Sequence, residues 1–141
     1  MNQATPALLV GDGDRLELPG RVEDIPSFLN QLDIFVLSSD SEQHPNALNE
    51  AMACGLASIA TNVGCVEDLL DSGQCGIIIP PGDAMSLEKG LRDLFSNERL
   101  RQKYAEAGLK HVQTNYSLDV MVNRYRDLYQ KAARKGRKSE I

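Results

Sequence analysis

The chain has 141 residues, with 42% hydrophobic and 25% charged residues and a net charge of −5, which fits one globular domain around one core. No apolar run approaches the roughly 18–20 residues needed to cross a bilayer. Met1 to Leu9 lacks the basic start and long apolar stretch of a signal peptide, so a cytoplasmic location is expected. The basic residues Lys131, Arg134, Lys135, Arg137 and Lys138 cluster near one end and leave an acidic body, which argues against nucleic-acid binding.

Taken in chain order, Pro6 to Gly11 (PALLVG) is a short apolar run ending in glycine, a buried strand entering a loop. RLELPG (15–20) alternates weakly and is expected as a second strand. Ile25 to Leu32 carries apolar residues at 25, 28, 29 and 32, one face of a short helix with Pro26 near its start. DIFVLSSD (33–40) is nearly continuously apolar, as a central parallel strand covered on both faces would be. Pro45 to Cys54 follows as a helix with Ala47, Leu48, Ala51 and Met52 inward, ended by Gly55. ASIAT (57–61) is a buried strand, Val66 to Leu70 a short helix, and GIIIPP (76–81) a strand with a proline stop.

From Gly82 onward the pattern is helical. Ala84 to Phe95 presents Met85, Leu87, Leu91 and Leu94 on one face. Asn97 to Thr114 forms a second helix. Ser117 caps a third, with Val120, Met121, Tyr125 and Leu128 inward. Strands separated by helical stretches predict an α/β, Rossmann-like domain: a mostly parallel sheet with helices on both faces and a C-terminal helical layer. The domain is expected to span 1–130. Residues 131–141 are expected as a basic, disordered tail, suited either to a frayed, solvated end or to peripheral contact with anionic lipid headgroups at the inner face of a membrane.

Cys54, Cys65 and Cys75 cannot all pair within one chain. Their spacing fits no zinc pattern, and His44 and His111 lie far apart in sequence, so reduced thiols and no metal site are expected.

In an open parallel sheet, ligands sit beyond the carboxyl ends of the strands, so the loops after residues 11, 39, 62 and 80 are the places to look. The informative segment is SSDSEQHPNALNEAMACGLA, residues 38–57. It sets Glu42 just past a strand and Glu50 on the following helix. The helix N-terminus between them, around Pro45 to Leu48, offers unpaired backbone N–H groups. Those groups and the helix dipole favour a phosphate. A carboxylate one turn on suits the cis-diol of a ribose, and one at the loop lip suits sugar hydroxyls or developing positive charge. Phosphate, ribose and sugar together describe a nucleotide sugar.

This segment resembles the Glu-x7-Glu motif of retaining glycosyltransferases of the GT-B fold, the glycosyl transferases group 1 family, and in particular their C-terminal, nucleotide-sugar-binding domain. LLVGDG (8–13), PGRVEDIPSFLNQLDIFVLSS (19–39), EAMACGLASIATNVG (50–64), GIIIPPGD (76–83) and YSLDVMVNRYRDLY (116–129) match the family's pattern in the same order, over about residues 7 to 131. The resemblance implies that Glu50 binds the ribose hydroxyls, and that the backbone at His44, Pro45, Asn46, Ala47 and Leu48 holds the diphosphate. It implies that Glu42, the catalytic candidate, contacts the donor sugar near the reacting carbon, that Val22 lies against the base, and that Gly11 and Gly13 allow close approach of the phosphate. It further implies metal-independent transfer without a cofactor, the nucleotide-diphosphate sugar being the donor substrate, to a saccharide or lipid-linked acceptor in polysaccharide biosynthesis.

The sequence departs from the pattern at four places. Gln43-His44 stands where Gly-Phe is common, and Ala57 where Pro is usual. Only the four residues GDGD (11–14) separate PALLV from RLELPG, so the N-terminal part is shortened relative to the family, with too few residues for a crossover between adjacent parallel strands. The basic residues that neutralise the diphosphate, and the acceptor-binding domain, lie upstream of these residues in the family. The isolated chain is therefore expected to bind donor weakly and transfer sugar poorly or not at all. A non-catalytic or split-enzyme nucleotide-sugar module that needs a partner acceptor domain is the alternative, and a nucleotide-sugar epimerase of similar fold a more distant one. Asn46 is equally suited to capping a helix. The tyrosines 104, 116, 125 and 129 are expected to pack helices.

Overall fold

A computed structural model of the chain describes residues 17–136. The strand expected at 6–11 lies outside them. Of the strand expected at 15–20, the described part, 17–20, has no regular structure and is exposed, because Pro19 and Gly20, the latter at φ 70°, turn the chain.

Three parallel strands form the described sheet: β1 (Ile34–Leu37), β2 (Ala57–Thr61) and β3 (Ile77–Ile79), in the order β1-β2-β3. Among the described strands β2 lies in the middle, with β1, the 33–40 run, beside it. Every residue of β2 is buried, whereas Val36 of β1 is 38% exposed. The small side chains of Ala57, Ser58 and Ala60 let neighbours close over β2 on both sides, and among the described residues β1 pairs with β2.

Helices α1 (Ile25–Leu29), α2 (Asn46–Ala53), α3 (Val66–Leu69), α4 (Ala84–Ser96), α5 (Glu98–Asn115) and α6 (Leu118–Gly136) alternate with and then follow the strands, with a 3-10 turn at Asp71–Gly73. One face of the sheet buries Leu48 and Met52 of α2, Val66 and Leu69 of α3 and Val112 of α5 against Ala60. The other buries Ile59 and Ile79 against Leu94 of α4, with Leu100 and Tyr104 of α5 alongside. Gly90, in the middle of α4, faces Ile59, and a Cβ there would run into the Ile59 side chain. The helix weakness of a mid-helix glycine is offset by this close approach. Ile59 is fully buried, and truncation to alanine is expected to lower stability by about 2–5 kcal/mol, read as a lower urea midpoint with unchanged slope.

Two helical expectations are corrected. Met85 is 75% exposed, whereas Leu94 of the same predicted face is buried. On α6, Met121, Tyr125, Leu128 and Tyr129 are exposed, not packed inward. The helix also continues through Gly136, beyond the point where the tail was expected to begin. Ala132, Ala133 and Arg134 are strong helix formers and sustain it.

Asp83 caps α4: one carboxylate oxygen accepts from the Ser86 N–H at 3.0 Å and the other from the Ser86 hydroxyl at 2.6 Å. The hydroxyl bond first, and then the backbone bond, hold the Asp83 carboxyl below its ordinary value. The folded form thus favours the ionised cap, which stabilises above the unfolded pKa, and that contribution is lost as pH falls through the lower folded one. Asp83→Ala is expected to lower Tm at neutral pH, with the gap to the parent chain closing as the carboxylate range is passed towards acid.

Candidate functional site

The loops beyond the carboxyl ends of the strands are tied to one another. The Thr61 hydroxyl, at the end of β2, donates to the Ser39 carbonyl at 2.6 Å. The Asn62 N–H donates to the Ile79 carbonyl at 2.7 Å, and the Cys65 N–H to the Gln43 carbonyl at 3.1 Å. Gly64 sits between these loops at φ 53°, and a Cβ there would collide with the Glu42 and Gln43 carbonyl oxygens. Only glycine accepts both the left-handed backbone and that contact. A cavity of about 190 Å³ opens on this edge among Ser38, Asp40, Thr61, Pro80 and Asp83, at three of the loops singled out in the sequence.

Glu42 stands in the loop after β1, half-buried, and accepts from the Ser39 hydroxyl at 3.0 Å. Glu50 is exposed on α2. It lies four residues after Asn46, hence on the same side of the helix one turn on. Between them the N-terminus of α2 begins at Pro45, with no side-chain cap and no acidic residue in its first turn. This sets α2 apart from α1, α4 and α5, whose N-termini are capped by Asp24, Asp83 and Asn97. Asn46 is therefore the first residue of the helix and not its cap.

A larger cavity, about 610 Å³, lies beside this helix end. His44, Asn46 and Asn49 form its α2 wall, and Tyr116 and Arg124 stand opposite. The Asn49 Oδ1 is buried without a hydrogen-bond partner, which costs about 1–3 kcal/mol in the absence of a donor. His44 meets Tyr116 edge-on, with ring centroids 6.1 Å apart. Burial first, then the Asp68 carboxylate, push the Tyr116 phenol above its ordinary pKa. It is thus a neutral donor at any physiological pH.

The structure brings His44 and Asn46 together on one wall. Glu42 and Glu50 flank the same helix end without lining that cavity. Leu48 has a different place from the one its motif position suggests: its side chain is in the core and its N–H donates to the Pro45 carbonyl at 3.1 Å. That leaves Asn46 and Ala47 as the amides at the helix start. Pro45 is buried, Ala47 exposed, and Val22 half-buried in an irregular stretch. Gly11 and Gly13 lie outside the described residues. Asn49, Tyr116 and Arg124 were not singled out as binding residues. Arg124 and Tyr116 reach the wall only because α5 and α6 fold back beside α2, a long-range event without a local signal. Asn49 had one: a polar residue on the apolar α2 pattern.

An open parallel sheet, wrapped by helices, with its loops converging at one edge defines a Rossmann-like domain of the GT-B type. The profile of glycosyl transferases group 1 matches residues 5–111, and the chain belongs to that family. A phosphatidyl-myo-inositol mannosyltransferase of Mycobacterium leprae is 31% identical over 95% of this chain and 40% of its own length. The C-terminal domain of a glycosyl transferase group 1 family protein (LpcC) from Francisella tularensis superposes with a TM-score of 0.65 at 30% identity, over 73% of this chain and 53% of that one. Anabaena Alr3699/HepE in complex with UDP-glucose shares the fold, with a TM-score of 0.71 at 18% identity over 77% of this chain and 30% of that one. The chain thus spans about two fifths of the length of the full enzymes it resembles in sequence. Among the described residues no helix is long and apolar enough to cross a membrane.

Proposed function

We propose that the chain is the donor-binding part of a retaining glycosyltransferase and holds a nucleotide-diphosphate sugar at the N-terminus of α2. The observation that carries this reading is the uncapped start of α2, flanked by Glu42 and Glu50 and opening beside a large cavity with His44, Asn46 and Asn49 on one side and the largely apolar Met121, Tyr125 and Leu128 of α6 on the other. A helix of this fold with neither a cap nor a first-turn carboxylate leaves its amides and dipole for an anion. The diphosphate supplies that anion, Glu50 accepts the ribose hydroxyls, and Glu42 meets the donor sugar. The match to the group 1 family and the UDP-glucose bound by a neighbour of the same fold support the ligand class.

In transfer, the bond from the anomeric carbon to the diphosphate oxygen breaks. The acceptor hydroxyl oxygen takes its place with retained configuration, and its proton goes to the departing diphosphate. The α2 dipole and amides stabilise the charge on that leaving group. The acceptor, a saccharide or a lipid-linked one, is held by a second domain across the cleft. With no such domain added, the polypeptide of these 141 residues is expected to bind donor and to transfer sugar poorly or not at all. A radiolabelled-transfer assay checks this, and ordinary turnover by the purified chain contradicts it. A non-catalytic or split-enzyme module would bind donor equally. Restoration of transfer by an added acceptor domain selects the split enzyme.

A further inference from the structure

Away from the donor edge, the loop between α3 and β3 meets α5. The loop is folded on itself: Gly73 and Cys75 N–H groups donate to the Leu70 carbonyl at 3.0 Å each, and the Gln74 N–H to the Asp71 carbonyl at 3.1 Å. Asp71 and Ser72 are held at φ 49° and 54°, a left-handed backbone that non-glycine residues rarely adopt. This conformation sets Asp71 and Cys75 beside His111 of α5, and the three ligand atoms all lie within 4.8 Å of one another. Cys75 is buried, and the Nε2 of His111 is buried with no hydrogen-bond partner.

We propose that Asp71, Cys75 and His111 form a three-ligand site for a thiophilic divalent cation of the zinc class. One thiolate, one imidazole nitrogen and one carboxylate oxygen are the donor types zinc takes, with a fourth position left to water. Bond lengths of about 2.0–2.3 Å place tetrahedral ligands roughly 3.5 Å apart, so atoms now within 4.8 Å of one another close by up to about 1.3 Å. The loop carrying Asp71 can supply that movement.

The Asn115 side-chain amide lies 3.3 Å from His111 Nδ1. Turned to present its oxygen, it accepts the Nδ1–H and leaves the lone pair on Nε2 for the metal. This gives up its 3.1 Å bond to the His111 carbonyl and supplies the outer-shell partner that ligating histidines use. Lys103 and Lys110 wall the same cleft, and the two negative charges of a thiolate and a carboxylate offset their repulsion of a cation. The cation clamps the loop before β3 to α5, whose His111 ring is 5.7 Å from that of Tyr116. The site owes nothing to nucleotide-sugar binding and stands whether or not that reading holds.

Cobalt(II) titration of the full chain under reducing conditions tests it. The expected result is a thiolate-to-cobalt charge-transfer band saturating at one cobalt per chain, abolished by zinc. Cys75→Ala should lose the band. His111→Gln should weaken cobalt binding by at least the roughly 10–100-fold that loss of an outer-shell partner alone causes. A Cys54→Ser, Cys65→Ser double variant should keep both band and affinity. Should Cys75→Ala fail to fold, His111→Gln and the double variant still decide the matter. A band that survives in His111→Gln at unchanged affinity, one that vanishes in the double variant, or no band in the parent chain overturns the proposal.

Discussion

Glu50→Ala is expected to remove half or more of the rise in Tm that a nucleotide-diphosphate sugar gives the parent chain. A ligand at 100 times its Kd stabilises the folded form by about 2.7 kcal/mol, which for a domain of this size is roughly 8–10 °C. Hydrogen bonds to a charged group contribute about 1.5–3 kcal/mol, so loss of the carboxylate under the cis-diol weakens binding roughly 10–100-fold. At the same ligand concentration the remaining shift is then about 1–5 °C. Glu50 is exposed and away from the core clusters, so the unliganded variant should melt within about 0.5 kcal/mol of the parent. A thermal-shift panel of nucleotide sugars on both proteins checks this. A variant that keeps the full shift separates residue 50 from the donor.

The second large effect falls on a backbone contact. Gly64→Ala is expected to cost about 3–5 kcal/mol, the scale of the larger single-site losses. The left-handed backbone accounts for about 1–2 kcal/mol of this in any residue with a Cβ. The rest comes from forcing the Glu42 and Gln43 carbonyls away from residue 64. Gly55 provides the comparison: its φ is 73°, yet a Cβ there would meet nothing within 4 Å. Gly55→Ala should therefore lose only the backbone part. Chemical denaturation of the two variants side by side separates strain from collision. Because the collision is with the loop that carries Glu42, Gly64→Ala should also blunt the donor-induced shift, and Gly55→Ala should leave it intact.

The elements easiest to read in the sequence were those fixed locally. The apolar spacing of α2, the short run of β2 and the Ser117 cap before α6 have one-turn or two-residue logic, and the family pattern added their order. The places where the reading failed have non-local causes. Met121 and Tyr125 keep helical spacing, yet whether that face is covered depends on what lies opposite. The motif put Leu48 among the phosphate-facing amides, whereas the tight first turn of α2 had already used its N–H. His111 and Cys75 are 36 positions apart in sequence, and only the packing of α5 against the loop before β3 brings them together.

The central claim is that the open end of α2 receives the donor phosphates. Amide chemical shifts followed by NMR during titration with a nucleotide-diphosphate sugar test it residue by residue. The account predicts that the largest changes fall at His44, Asn46, Ala47 and Glu50, with Val112 and Leu94 still. Changes confined to α6 or to the β3–α4 loop, or none at saturating ligand, would contradict it.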